Sequence, residues 1–236
     1  DTITAIMAMP KPTSIEEAIA IPIEALEPRV PGILSTAPIL FDYQKSGVAF
    51  MMHNKRAFNA DGVGLGKSGQ AIVAAVASGC ERILVVCYNF LVPNWDQEVQ
   101  KWTGKEATIV RAGKGGLMKA SSSEIEALAG KTQFCIVHYE ILARCEGVLG
   151  AKWDCVILDE SHCVKEKKSL RTRAARKIKS EYMFLLTGTP VLNRPIELWS
   201  QLDIMTPGTF GNYWKFGDRY AKGEPIHLDI KVYAHS

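Results

Sequence analysis

From Leu40 onward the chain alternates between short apolar runs and longer amphipathic stretches. The runs "RILVVC" (82–87), "FCIVHY" (134–139), "CVILD" (155–159) and "YMFLL" (182–186) are nearly free of polar interruptions and rich in Val, Ile and Leu. A strand with one wet face would alternate in polarity, so unbroken runs of this length suit strands covered on both faces. Between them the polar residues return at helical spacing, which predicts helices over 67–77, 92–102, 122–129, 170–178 and 194–204. Strands and helices in alternation define an α/β fold: a mainly parallel sheet with helices on both faces. Residues 1–38 break the pattern. They hold six of the eleven prolines, in segments such as "MPKPTS" and "IPIEALEPRVPG". That composition suits an N-terminal arm or linker, with one short helix near 15–20 behind Ser14 as its cap.

Composition narrows the picture only a little. The 236 residues are 47% apolar, enough for one sizeable core. A net charge of +3 is too small to argue by itself for a nucleic-acid partner. The six cysteines show neither a Cys-x-x-Cys pair nor zinc spacing, and read as buried free thiols of a reducing, intracellular compartment. No apolar run reaches the roughly 18 residues of a membrane span, and no segment resembles a signal peptide. The chain begins at Asp1 without a methionine, as a fragment or processed product would.

Chemistry enters with "NADGVGLGKSGQ" (59–70). A loop that cradles phosphates needs glycines where the backbone approaches the anion or takes positive φ, and Gly64 and Gly66 supply them. Lys67 would reach the β- and γ-phosphates, Ser68 would ligate magnesium, and the helix that follows would point its positive N-terminus at the anion. The strict signature wants glycine where Asp61 stands, and a Gly-rich turn between strand and helix is the plain alternative. The second half of such a site should lie at the end of a buried strand, and "CVILDESH" provides it. The crevice of an open α/β sheet opens at that end. There Asp159 would hold magnesium, directly or through water, and Glu160 would orient and deprotonate the attacking water. Two motifs in this order, each at a strand end, outweigh an idle acidic strand end.

Taken together, residues from about Leu40 to Gly223 resemble the first ATPase lobe of the Swi/Snf-related DNA translocases in the DExH helicase superfamily, a RecA-like P-loop NTPase lobe. In that family the phosphate loop usually reads Asp-Glu-Met-Gly-Leu-Gly-Lys-Thr, so Asp61 stands on a family aspartate. This sequence departs at Gly62, Val63 and Ser68. "ILFDYQKSGVAFM" resembles the adenine-reading segment, in which Gln44 would pair with the adenine edge while Phe41 or Tyr43 packs nearby. "ILVVCYNFLVPNWDQEVQKW" resembles the strand, loop and helix after the phosphate loop. "FCIVHYEIL" resembles the segment usually written Thr-Ser-Tyr-Glu, with His138 in the serine's place. "LDESHCVKEKKSLRTRAA" resembles the DExH box and its extension. "LLTGTPVLNRPIELWSQLDIMTPGTFG" resembles the coupling motif and its continuation, and "YWKFGDRYAKG" the annealing-helicase branch of SMARCAL-like proteins.

The resemblance implies ATP and Mg2+ as ligands, with Phe41, Gln44, Asp61, Gly62, Val63, Gly64, Leu65, Gly66, Lys67 and Ser68 around the nucleotide. It implies Lys67, Asp159 and Glu160 as the catalytic set, and Ser68 and Asp159 as metal ligands. It also implies hydrolysis coupled to tracking along duplex DNA, in remodelling or strand annealing, with branched or single-stranded DNA as further partners. Tyr88, Asn89, His138 and Tyr139 stand after strands where the family touches the nucleic-acid backbone. They are capable of phosphate or sugar contact, against a plain reading as loop and cap residues. The run 165–179 holds eight basic residues against one acid. It is a solvated face by default and, through Arg171, Arg173 and Arg176, a DNA contact on the sharper reading. Thr187 and Thr189 of "TGTP" would link His162 and the hydrolysis site to the nucleic-acid face. Trp95 and Trp102, seven residues apart on one helix, read as core.

Helicase-type ATPases work in a cleft between two lobes, the second supplying an arginine finger. Only thirteen residues follow Gly223, and they do not resemble a second lobe. The expected organisation is an arm (1–38), one RecA-like ATP-binding domain (39–223) and a tail (224–236), binding nucleotide weakly and hydrolysing it very slowly until a second lobe completes the site. An RNA-directed DExH helicase lobe and a catalytically silent nucleic-acid- or protein-binding module are the alternatives. A simple P-loop kinase or GTPase is disfavoured, since no guanine-reading Asn-Lys-x-Asp segment is present.

Overall fold

In a computed structural model, the structure describes residues 40–190, 195–220 and the backbone of 232–233. The four apolar runs form strands Ile83–Cys87 (β2), Phe134–His138 (β4), Trp153–Leu158 (β5) and Ser180–Leu186 (β6). Three shorter strands join them: Arg56–Asn59 (β1), Thr108–Ile109 (β3) and Val232–Tyr233 (β7). They form one sheet in the order β3-β4-β2-β5-β6-β1-β7, parallel at every pairing. The helices are Asp42–Asn54 (α1), Lys67–Ala77 (α2), Val92–Thr103 (α3), Ser122–Thr132 (α4), Tyr139–Leu142 (α5), Glu146–Gly150 (α6), Leu170–Ala175 (α7), Leu198–Met205 (α8) and Tyr213–Tyr220 (α9).

Two cores explain why the strands are apolar throughout. Ile83, Val85, Ile136, Ile157, Phe184 and Leu186 pack on one side with Val48 of α1, Ile72 of α2 and Trp95 of α3. Their strand neighbours Leu84, Val86, Val137, Val156, Met183 and Leu185 pack on the other with Ile125 of α4, Ala174 of α7, Leu202 of α8 and Phe216 of α9. Successive side chains of a strand point to opposite faces, so a sheet roofed by helices on both sides must be apolar at every position. The architecture is the expected RecA-like one. All six cysteines are free; five are buried and Cys163 is half-buried.

Differences lie at element ends and in short elements. The helix expected to reach residue 178 ends at Ala175, because Lys177 N and Ile178 N turn to Ala174 O and Ala175 O and tighten the last turn. The helix expected from 194 begins at Leu198, after a 3₁₀ turn over Pro195–Glu197. Strand β1 has only four residues, "RAFN", too short to show a period. It forms because β6 supplies a full parallel register, Arg56 opposite Met183 through Asn59 opposite Leu186. The arm at 1–38 lies outside the described residues.

Gly69 of α2 lies against Trp102 of α3. A Cβ there would meet the Trp102 indole at 2.6 Å. That ring is buried and held by its Nε1 donating to Glu98 Oε2 at 2.9 Å, so it cannot swing away cheaply. Gly69→Ala is therefore expected to destabilise the fold by about 1–3 kcal/mol through overpacking, read as a lower denaturant midpoint with unchanged slope. A stability gain, as for an ordinary helix Gly→Ala change, would refute this packing.

Candidate nucleotide site at the carboxyl edge of the sheet

Apart from Phe41 and Gln44 at the start of the first helix, the residues singled out by motif lie at or after the carboxyl ends of strands. The phosphate loop leaves β1 after Asn59, the DExH segment leaves β5 after Leu158, and the TGTP segment leaves β6 after Leu186. Thr187 N donates to Asn59 O at 3.1 Å, which carries the β6–β1 pairing into both loops. The TGTP loop then crosses the phosphate loop. A Cβ on Gly188 would meet Val63 Cγ2 at 2.7 Å and Lys67 Nζ at 3.7 Å.

The phosphate loop is shaped from beneath by a buried amide. Gln70, in the first turns of α2, donates from Nε2 to Asp61 Oδ2 at 3.1 Å and to Leu65 O at 3.1 Å. Its Oε1 accepts from Asn59 Nδ2 at 3.0 Å, and Asn59 Oδ1 accepts from Asp61 N at 3.0 Å. Gly64 and Gly66 take φ of +85° and +72°, a region open to glycine without strain. Above this base, Lys67 Nζ donates to Asp61 O at 3.0 Å and Gly62 O at 2.9 Å. Burial lowers its pKa, against the charges of Glu160, Asp61 and Asp159. Ser68 follows at the start of α2, half-buried. Gln44 sits on the far side of the loop, donating from Nε2 to Leu65 O at 3.2 Å and accepting from Phe41 N at 3.0 Å. Phe41 is 67% exposed and stacks on Tyr43, with ring centroids 5.8 Å apart.

Asp159 is held on both oxygens. Trp95 Nε1, from α3, donates to Oδ2 at 2.7 Å, and Glu160 N donates to Oδ1 at 3.0 Å. Burial pushes the carboxyl above the usual range, and the charge of Glu160 adds to the rise, while the Trp95 hydrogen bond pulls it back. Glu160 has left-handed backbone, φ 45° and ψ 54°, a strain of order 1–3 kcal/mol for a residue with a side chain. Its Oε2 accepts from Thr187 Oγ1 at 3.3 Å and lies 3.2 Å from His162 Nδ1. His162 Nδ1 is also 3.2 Å from Thr187 Oγ1, and its Nε2 is 3.5 Å from the Tyr88 hydroxyl. The hydrogen bond with Cys163 and burial push the Tyr88 phenol up to about 12, so it stays a donor at neutral pH. Gln201 of α8 completes the frame, accepting from Ser161 Oγ at 2.7 Å and donating to Pro190 O at 3.2 Å.

Several expectations are corrected. The Asp61 carboxylate is buried and accepts from Gln70, so its side chain lies beneath the loop and helps shape it. Tyr139 is 1% exposed and donates its hydroxyl to Asp159 O at 2.8 Å, which removes it from any nucleic-acid surface. His138 is half-buried, with Nδ1 2.6 Å from Glu140 Oε2. Thr189 joins the network through its backbone N, donating to Thr187 Oγ1 at 3.1 Å, rather than through its hydroxyl. Of the basic run, Lys165 pairs with Glu197, Lys167 lies over the Trp199 and Tyr213 rings, and Arg176 pairs with Asp203 at 3.1 Å. Lys168, Arg173, Lys177 and Lys179 remain exposed, and Arg171 is half-buried. Asn89 is exposed at the start of a 3₁₀ turn, Asn89–Leu91, whose Phe90 is 74% exposed and stacks on Tyr88. Gln70, Asn59 and Gln201 carry parts of this site that no motif marked, and Trp95, expected in the core and buried there, adds a hydrogen bond to Asp159. Of these, only Asn59 and Gln70 carried a signal in the sequence, as polar residues bracketing the glycine loop.

The fold and this edge define the nucleotide-binding lobe of a RecA-like P-loop NTPase. The chain belongs to the SNF2-related domain family, which matches residues 43–226. It is 33% identical over 190 residues to an uncharacterized ATP-dependent helicase of Mycoplasma genitalium, covering 76% of this chain and 18% of that protein. Over 238 residues it is 32% identical to the SWI/SNF-related matrix-associated actin-dependent regulator of chromatin subfamily A-like protein 1 of Bos taurus, covering 97% of this chain and 24% of the relative. The chain thus spans less than a quarter of the length of these relatives. In structure it is similar to the Sulfolobus solfataricus SWI2/SNF2 ATPase core in complex with dsDNA, with a TM-score of 0.68 at 24% identity over 80% of this chain and 41% of that one.

The buried network makes a direct prediction. Gln70→Met keeps the volume but strands Asn59 Nδ2 and takes one hydrogen bond each from Asp61 Oδ2 and from Leu65 O, which keeps the Gln44 amide as donor. Each buried group left unpaired costs about 1–3 kcal/mol, so the variant should unfold several degrees lower and lose nucleotide affinity together. Unchanged stability would show that the network does not shape the loop.

Proposed function

We propose that this chain is the ATP-binding lobe of a DNA-dependent ATPase that couples ATP hydrolysis to translocation on duplex DNA, and that a second RecA-like lobe, in cis or in trans, completes its site. The observation that carries the reading is the meeting of Lys67, Asp159, Glu160 and Thr187 at one sheet edge. Lys67 rests on two backbone carbonyls of its own loop, acceptors that phosphate oxygens would replace. Phe41 offers an exposed ring beside Gln44, so adenine would lie on Phe41 with its edge toward the Gln44 amide.

The donor set fits magnesium in its usual nucleotide-bound form. Among the described residues no three His, Cys, Asp or Glu side chains converge as a cation cage. One carboxylate, Asp159, and one hydroxyl, Ser68, are what a hard cation needs when the nucleotide's phosphates and waters complete its sphere. When bound there, it would neutralise charge on the β- and γ-phosphates. Glu160 would then accept the proton of the attacking water, which requires its carboxylate to leave Thr187 and His162. An arginine from a second lobe would contribute on the order of 10³–10⁵ in rate, so the isolated lobe would turn over very slowly. Duplex DNA as the track is supported by the archaeal relative, whose ATPase core was solved with dsDNA. Tyr88 and Asn89 after β2, with Arg171 and Arg173 of α7, would meet its phosphates. The family assignment favours an intracellular, DNA-associated protein and, within the family, remodelling or strand annealing.

Fluorescent Mg-ADP should bind this chain saturably, at least tenfold more weakly after Lys67→Ala. Gln44→Ala should erase a preference for adenine over guanine nucleotides. No saturable binding to the native chain, or binding indifferent to Lys67→Ala, would defeat the reading.

The DNA reading has a separate test. Each phosphate contact adds about 0.9 to the slope of log affinity against log salt. The pair Arg171→Glu and Arg173→Glu should flatten that slope by one to two, whereas Lys165→Glu, removing a lysine already paired with Glu197, should act mainly on stability. An unchanged slope would remove the run from the DNA face.

A further inference from the structure

Helix α3 packs its inner face on the sheet. Its buried positions Val92, Trp95, Val99 and Trp102 form a stripe of the kind any core helix carries. Trp95 differs from the rest. A buried indole N–H needs an acceptor, and here the acceptor is the carboxylate that ends β5, at 2.7 Å, within the range of charge-assisted bonds. The opposite oxygen accepts from Glu160 N at 3.0 Å, and the Asp159 carbonyl accepts from the buried Tyr139 hydroxyl at 2.8 Å. The carboxylate plane is fixed from two sides and its backbone from a third. Among the described contacts of Asp159, the indole is the only side-chain donor to the carboxylate.

We infer that Trp95 is a positioning residue for magnesium–nucleotide binding: its indole N–H sets the orientation of the Asp159 carboxylate, so that the cation finds a preformed ligand. This rests on the nucleotide reading above and deepens it. Hydrogen-bond partners behind a metal ligand typically contribute 10- to 100-fold in metal affinity, and an indole locked in a packed core holds its hydrogen more rigidly than a surface donor could. Helix α3 also begins beside the Asn89–Leu91 turn with its exposed Phe90, so the ligand's orientation is mechanically continuous with that loop.

The test compares fluorescent ADP binding to the full chain across a magnesium titration and in EDTA, for the native protein, Trp95→Phe and Trp102→Phe. Trp102 is the control: a buried indole on the same helix that donates to Glu98 instead. Trp95→Phe should need at least tenfold more magnesium for half-maximal enhancement, with binding in EDTA unchanged, and Trp102→Phe should match the native midpoint. An unchanged midpoint in folded Trp95→Phe overturns the inference and leaves the nucleotide site standing. Native binding with no response to magnesium also overturns the inference alone. No nucleotide binding by the native chain overturns both. A second measurement covers a Trp95→Phe protein that does not fold: the indole N–H resonance of Trp95 in the native chain, assigned by replacing the other four tryptophans in turn. It should move on adding Mg-ADP but not ADP in EDTA, and an immobile resonance overturns the inference.

Discussion

The hydrogen bonds of the Gln70 side chain are the constraint on which the site depends. A phosphate loop must keep its backbone N–H groups free for an anion, so its internal stability has to come from somewhere else. Here it comes from one buried amide that ties the end of β1, through Asn59, to the Asp61 carboxylate and the Leu65 carbonyl. Because both donor and acceptor ends of the amide are engaged in a place without water, misplacing the loop would strand several polar groups at once. Gly66 then adopts its left-handed turn where α2 begins, and the helix dipole and Lys67 are aimed without further restraint.

Strain accumulates opposite this rigid loop. Glu160 combines an unfavourable backbone with a side chain committed to its neighbours. Thr187 and His162 hold its carboxylate, His162 reaches the Tyr88 hydroxyl, and Tyr88 carries the exposed ring of Phe90 on its face. A chain of contacts therefore runs from a surface loop after β2 to the proposed general base after β5. These two strands are neighbours in the order β4-β2-β5-β6-β1, and their direct pairing fixes its ends, because parallel strands buried on both faces slide past one another only by breaking two cores at once.

The basic run shows how context reassigns charge. Read as a helix, 165–179 would spread its cations around a solvated cylinder. The chain instead keeps only six residues helical; Lys165 and Arg176 turn inward to Glu197 and Asp203, and the exposed Lys167 lies over the Trp199 and Tyr213 rings of α8 and α9. What remains outward is a narrower set, centred on Lys168 and Arg173.

The sequence by itself determined the parts governed by local pattern. Unbroken apolar runs named the buried strands, and glycine spacing, Lys67 and the Asp159–Glu160 pair pointed to the proposed nucleotide site, because those residue types are required wherever a backbone cradles phosphates. The family could be recognised for the same reason. What only the tertiary structure decided was direction and partnership. No local pattern says that the Asp61 carboxylate turns under its loop, that Tyr139 spends its hydroxyl on a backbone carbonyl, or that Trp95, sixty-four residues from Asp159, donates to it across the interface of helix and sheet. Strand β1 was invisible for a related reason: four residues cannot display a period, and its register exists only once β6 lies beside it. Side-chain hydrogen bonds between distant elements depend on a few ångströms of packing, and that distance is set by the whole core rather than by any stretch of sequence.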